Sequence, residues 1–203
     1  LRVLIICAGN NKNSSKLIEY AQNSDYIICA DGGYIYAKEN GIIPNIIVGD
    51  FDSCSVPKDF ASIIKLPKEK DETDSLYALK FAVSKGAREV VLYGAIGDRI
   101  DHSYANICLL NYTLERNIKT ILTDGKTEIY LIDSSISLEK EKGINISIYS
   151  YTDISYNVNS ENLKYKLENY NLSKNDIIGT SNEFLDKKAK ISVEIGKLII
   201  ICN

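Results

Sequence analysis

Two aspartates one residue apart, Asp50 and Asp52 in the run VGDFDS, follow the apolar pair Ile46-Ile47. At the end of an extended strand, residues i and i+2 point to the same side, so these carboxylates would be aimed together. Phe51 between them is expected to point the other way and pack into the core. Paired carboxylates repel unless a cation lies between them, and Asp74 in the later run KDETD offers a third. A hard divalent ion, most simply Mg²⁺, prefers such oxygen ligands and keeps sites open for water and phosphate oxygens. Zinc-type ligation is disfavoured, because the chain has one histidine, His102, and five cysteines with no CxxC pair. Lys70 and Arg99 supply fixed positive charge, and Arg99 is able to bind two oxygens at once. Acid cluster, basic residues and glycine loops together point to a nucleotide held with magnesium.

Those residues need a frame that aims them at one place. Short β-branched runs at residues 3–7, 26–30, 46–48, 63–66, 89–93 and 120–122 read as strands. Between them, helical periodicity is clearest over residues 73–85, where Leu76, Leu79 and Val83 share a stripe. It recurs over 103–116, with Ile107, Leu110 and Leu114. Strand and helix in alternation predict an α/β domain, a mainly parallel sheet with helices on both faces. Ligands of such sheets bind beyond the carboxyl ends of the strands. Five consecutive strand ends carry glycine or acid: Ala8-Gly9-Asn10, Ala30-Asp31-Gly32-Gly33, Gly49 to Ser53, Lys68 to Asp74, and Gly94 to His102.

Beyond the turn-like triplet Asp124-Gly125-Lys126 the pattern changes. Short alternating runs at residues 128–132, 136–139, 144–149, 163–167, 190–195 and 198–202 are punctuated by Gly, Asn, Ser and Asp. This predicts an antiparallel all-β sandwich or barrel. Two domains are expected, 1–124 and 125–203.

With 45% hydrophobic and 25% charged residues, the 203-residue chain has ordinary globular composition. A net charge of −3 gives no overall case for nucleic acid or anionic membranes as partners. No apolar run approaches the length needed to span a bilayer, and LRVLIICAG lacks the marks of a signal peptide. Four cysteines lie in apolar runs and read as small core residues in a reducing compartment, with the cytoplasm as the expected location.

Plainer readings exist for each element. Asp31-Gly32-Gly33 suits either a bare turn before a helix or a backbone approach to phosphate. Asp71 and Asp74 suit a helix-capping arrangement, and Asp101 suits the N-cap of the next helix. A lone histidine beside a helix start, as His102 is, is more often a hydrogen-bonded structural group than a general base. The chain lacks GxxxxGK[ST] and any GxGxxG after a strand, so neither a P-loop nor the usual dinucleotide fold is supported. A metal-dependent nucleotide phosphohydrolase fits the acid cluster equally well, and a non-catalytic sensing module that keeps the pockets is a third reading.

Taken in order, ADGG at 30–33, GDFDS at 49–53, KDETD at 70–74 and GDRIDH at 97–102 resemble the thiamine pyrophosphokinase family. LKYKL at 163–167 and GTSNE at 179–183 look like that family's thiamine-side motifs, so the resemblance spans essentially the whole chain. It implies an N-terminal α/β catalytic domain, a C-terminal thiamine-binding β-sandwich, and a homodimer with active sites between subunits. The implied reaction moves the terminal pyrophosphoryl group of ATP to the hydroxyl of thiamine, leaving AMP. By the same resemblance Asp50, Asp52 and Asp74 bind magnesium, and Lys70 and Arg99 neutralise the migrating phosphates. Asp31, Gly32, Gly33 and His102 fall on the ATP side, while Asp71 and Asp101 would orient the cations or the attacking hydroxyl. Tyr165 would offer an aromatic face to thiamine, with Ser181 and Asn182 bonding its pyrimidine ring. Two departures stand out: Asp98 occupies a position where the family commonly has glycine, and Tyr165 one where many relatives have tryptophan.

Overall fold

A computed structural model of the chain describes residues 1–10, 13–51, 62–67, 69, 71–140 and 145–203. It divides into two compact units, Leu1–Lys126 and Thr127–Asn203.

The first unit runs β1 (Arg2–Ile6), α1 (Ser14–Gln22), β2 (Tyr26–Ala30), α2 (Gly33–Glu39), β3 (Ile46–Gly49), β4 (Ile63–Lys65), α3 (Asp74–Ser84), β5 (Glu89–Tyr93), α4 (Ile100–Leu114) and β6 (Lys119–Thr123). All of its strand pairs are parallel, in the order β6-β5-β1-β2-β3-β4. The central strand β1 is buried from Val3 to Ile6, as a strand covered on both faces must be. Leu17 and Tyr20 of α1 and Ala37 of α2 pack on one face with Leu4, Ile6, Cys29, Ile47 and Tyr93. The opposite face is left to α3 and α4, which contact each other and the strands.

Two helix boundaries refine the sequence reading. The N-cap of α3 is Thr73, whose hydroxyl accepts the Leu76 N–H at 3.2 Å, so neither Asp71 nor Asp74 caps that helix. Helix α4 begins at Ile100, which puts Asp101 inside the first turn and not at the N-cap. Its buried stripe is Asn106, Leu109, Leu110 and Thr113, whereas Ile107 and Leu114 of the expected stripe are only partly buried. The chain at Phe51 also differs from expectation. Its φ of 58° is left-handed, so the strand ends at Gly49 and alternation does not carry past Asp50. Phe51 nevertheless packs against the core.

The second unit contains β7 (Glu128–Ile132), β8 (Ser135–Glu139), β9 (Asn145–Ser150), β10 (Ile154–Glu161), β11 (Tyr170–Ser173), β12 (Asn182–Glu183), β13 (Lys188–Ser192) and β14 (Leu198–Cys202). Its pairs are antiparallel, in the runs β12-β9-β14-β7 and β11-β10-β13-β8. Inward residues of both runs, among them Ile146, Ile148, Leu198 and Ile200 facing Leu138, Val158, Leu172 and Ile191, form a single core. The sandwich is therefore as expected. Residues 163–167, expected as a strand, form only a single bridge between Leu163 and Phe184.

The four described cysteines are free thiols, and three of them are buried. Burial, with Asp74 nearby, pushes the Cys7 thiol up to about 12; burial with Glu128 nearby does the same for Cys202, and burial raises Cys29 as well. An unfolded thiol ionises near 9.0. Between roughly pH 9 and 12 the folded chain thus retains protons that the unfolded chain has lost, and stability must fall as pH rises. Unfolding free energies from urea titrations between pH 8 and 10.5 should decline by on the order of 1 kcal/mol per buried thiol per pH unit above 9.

Candidate active site

The chain runs outward from β1 through β2 and β3 to β4, then crosses back to place β5 on the other side of β1. The loops after β1 and β5 run together, the Gly9 N–H donating to the Gly94 carbonyl at 2.8 Å and the Asn10 N–H to the Ile96 carbonyl at 3.1 Å, and they border a crevice at the carboxyl edge of the sheet, where ligands of such folds bind. A cleft of about 660 Å³ occupies this place, entirely within the first unit. Asp31, Asp50, Asp74, Arg99 and His102 line it together, each delivered by a strand end or a helix start.

Local chemistry holds these groups. Asp31 is left-handed at φ 43° and nearly buried, its N–H donating to the Val48 carbonyl at 2.7 Å. A side chain at Gly49 would come within 2.9 Å of the Asp31 Cα, so the ends of β2 and β3 can lie this close only with glycine there. Asp74 is the first residue of α3, where its negative charge also favours the helix dipole. Arg99 Nη2 donates to Asp101 Oδ2 at 2.7 Å, and this contact, first among several, holds the Asp101 carboxyl below its ordinary value. The Ser103 hydroxyl accepts the Gly97 N–H at 3.0 Å, returning the glycine loop onto the first turn of α4.

Gly32 and Gly33 lie at the start of α2, where Gly33 packs against β1. Asp71 and Asp101 are not among the residues that line the cleft. Asp52, Lys70 and Ser53 lie outside the described residues. Tyr165, Ser181 and Asn182 belong to the second unit, where they are gathered at β12 and the bridge beside it: the Tyr165 N–H donates to Asn182 Oδ1 at 2.9 Å.

Asn10 enters the sequence reading only as part of a strand end, and Ser75 and Asn106 are missed there. Asn106 is 7% exposed, donates from Nδ2 to the Ala95 carbonyl at 2.8 Å and accepts from the Ser75 hydroxyl at 2.7 Å. It thereby ties the start of α3 to the loop after β5. Asn10 Nδ2 donates to Asp98 Oδ1 at 2.8 Å, joining the loops after β1 and β5. Replacing Asn106 by Ala leaves the Ala95 carbonyl without this donor and Ser75 with the Thr73 hydroxyl in its place, and should destabilise the chain by about 1–3 kcal/mol in urea unfolding.

The donor set suits a hard cation. Among the described residues no group of three or more metal-binding side chains is assembled, but Asp50 and Asp74 both offer carboxylate oxygen to the cleft.

Residues 17–122 match the family described as "Thiamin pyrophosphokinase, catalytic domain", and residues 133–200 match "Thiamin pyrophosphokinase, vitamin B1 binding domain". The thiamine pyrophosphokinase of Bacillus subtilis (strain 168) is 29% identical over 210 residues, covering 99% of this chain and 98% of that one. A crystal structure of thiamine pyrophosphokinase from Bacillus subtilis matches with a TM-score of 0.89 at 27% identity, over 99% of this chain and 98% of its own. That of a thiamin pyrophosphokinase family protein from Enterococcus faecalis matches at 0.85 and 27% identity, over 100% and 99%.

Proposed function

The chain is an enzyme of the thiamin pyrophosphokinase family, which forms thiamine diphosphate, and on that premise we propose that ATP is its donor and AMP its second product, with Mg²⁺ required. The observation that carries this reading is the gathering of Asp31, Asp50, Asp74, Arg99 and His102 at the crevice beside β1.

The hydroxyethyl oxygen of thiamine attacks the β-phosphorus of ATP. A new P–O bond forms there, the bond from that phosphorus to the α,β-bridging oxygen breaks, and the electron pair leaves with AMP. The hydroxyl proton is released to solvent or to a neighbouring base. Asp50 and Asp74, with Asp52 expected to join them, would hold magnesium, whose charge neutralises the phosphate oxygens when it is bound. Arg99, steadied by Asp101, adds a forked cation for the migrating group. Thr73, Ser103 and Asn106 act behind these groups by fixing the first turns of α3 and α4. Such a site works by positioning and charge neutralisation, which suits phosphoryl transfer.

The thiamine side is assigned to Tyr165 and Ser181 of the sandwich, and the working assembly to a homodimer in which subunits share the sites. A monomer fully active at micromolar concentration would overturn that assembly. We place the enzyme in the cytoplasm, supported by its free thiols; no helix among the described residues is long and apolar enough to cross a membrane. The deciding assay supplies ATP, thiamine and Mg²⁺ and quantifies products. AMP and thiamine diphosphate in equal amounts support the proposal. ADP, inorganic phosphate, or turnover without thiamine would overturn it.

A further inference from the structure

Residues 162–165 and 182–185 run side by side in the sandwich without forming a full ladder. The Lys164 N–H donates to the Glu183 carbonyl at 2.9 Å, and the Leu185 N–H to the Asn162 carbonyl at 2.9 Å, on either side of the Leu163–Phe184 bridge. One residue further the backbones part, because Ser181 is left-handed at φ 55° and its N–H turns to the Ser147 hydroxyl at 3.0 Å. The Asn182 side chain fills the gap. Its Oδ1 accepts the Tyr165 N–H at 2.9 Å and its Nδ2 donates to the Tyr165 carbonyl at 2.7 Å, the two bonds a paired strand residue would make. Oδ1 also accepts the Glu183 N–H at 2.9 Å, so both lone pairs and one amide hydrogen are committed, and the residue is only 2% exposed.

Tyr165 is the opposite case. Its backbone is held on both sides by one buried amide, while the residue is 59% exposed. We infer that Asn182 is a positioning residue: it acts through Tyr165, fixing that backbone so the ring stands as a platform for the flat, cationic ring system of thiamine. The inference rests on the thiamine-side reading of Tyr165 given above. It moves Asn182 from the ligand's contacts to the support beneath them. Ordering the platform before the ligand arrives removes an entropic cost from binding.

The chain contains no tryptophan, so Tyr165→Trp creates a single emitter at the platform. Thiamine should quench this emission. In Tyr165→Trp/Asn182→Ala, the thiamine Kd should weaken about tenfold, whereas Mg-ADP affinity, measured by calorimetry, should stay within about twofold. Anisotropy of the introduced indole should also fall before any ligand is added, which loss of a residue that only touches ligand would not cause. Asn182→Asp, nearly isosteric, keeps the acceptor and loses the donor to the Tyr165 carbonyl; if the alanine variant fails to fold, it should show the same pattern. A folded double variant with unchanged thiamine Kd, or with unchanged ligand-free anisotropy, overturns the role of Asn182. Emission from Tyr165→Trp that ignores thiamine while product still forms overturns the platform and this inference, leaving the reaction standing. Absence of thiamine diphosphate from the unaltered chain overturns the proposed function itself and this role with it.

Discussion

Asp74→Asn should lower the rate of thiamine diphosphate formation by about 10²–10⁴-fold while leaving a folded protein. The substitution keeps size and one acceptor oxygen but removes a charge from the cleft that Asp50 and Arg99 share. A role limited to the helix dipole would make it nearly harmless. Capping of α3 is already performed by the Thr73 hydroxyl, so what the helix loses is the dipole interaction, worth about 0.3–1 kcal/mol. The Mg²⁺ concentration for half-maximal rate should rise along with the loss. A variant that keeps more than about a tenth of the wild-type rate at saturating Mg²⁺ would remove Asp74 from the reacting groups.

Gly33→Ala should damage the fold itself. A Cβ there would sit 2.0 Å from the Ile6 carbonyl oxygen and 2.6 Å from its carbon. Those atoms cannot retreat, because Ile6 is paired with Cys29 on one side and Tyr93 on the other, at the middle of the sheet. The start of α2 would have to lift away, taking Asp31 with it. The expected loss is at least about 3 kcal/mol in urea unfolding, with poor soluble yield. Gly41→Ala is the matched control. That glycine is left-handed at φ 67° but has open space around it, so only backbone strain applies, roughly 1 kcal/mol. Equal effects at the two positions would show that the contact with Ile6 does not limit the fold.

Much of this site was readable because parallel sheets collect chemistry at strand ends. Asp31, Asp50, Asp74 and Arg99 are far apart in the chain, yet each follows a strand or opens a helix, and the topology brings those places together. What misled was local conformation. Reading Asp50 and Asp52 as a same-side pair assumes an extended chain; Phe51 between them is left-handed although its ring still packs inward, and Asp52 lies outside the described residues. Asp101 looked like a cap because helices often start at such residues, but Ile100 already opens α4 and the carboxylate pairs with Arg99 instead. LKYKL at 163–167 alternates like a strand, and the single bridge there is completed by the Asn182 side chain, which periodicity cannot reveal. Asn106 was hidden for a related reason: its value lies in a hydrogen bond to Ala95, a partner set by tertiary packing.

The central place of β1 has a consequence for how the chain must be made. Val3 finds Tyr26 as soon as β2 is complete, but its partner on the other side is Val90, and the remaining β1–β5 pairs follow the same offset. A ribosome adding about 5–20 residues per second leaves several seconds between completing β1 and completing β5. Throughout that interval one edge of RVLII, an apolar and largely β-branched segment, has no strand beside it. The strand at the middle of the finished sheet is thus the one that waits longest for its second neighbour while synthesis is under way.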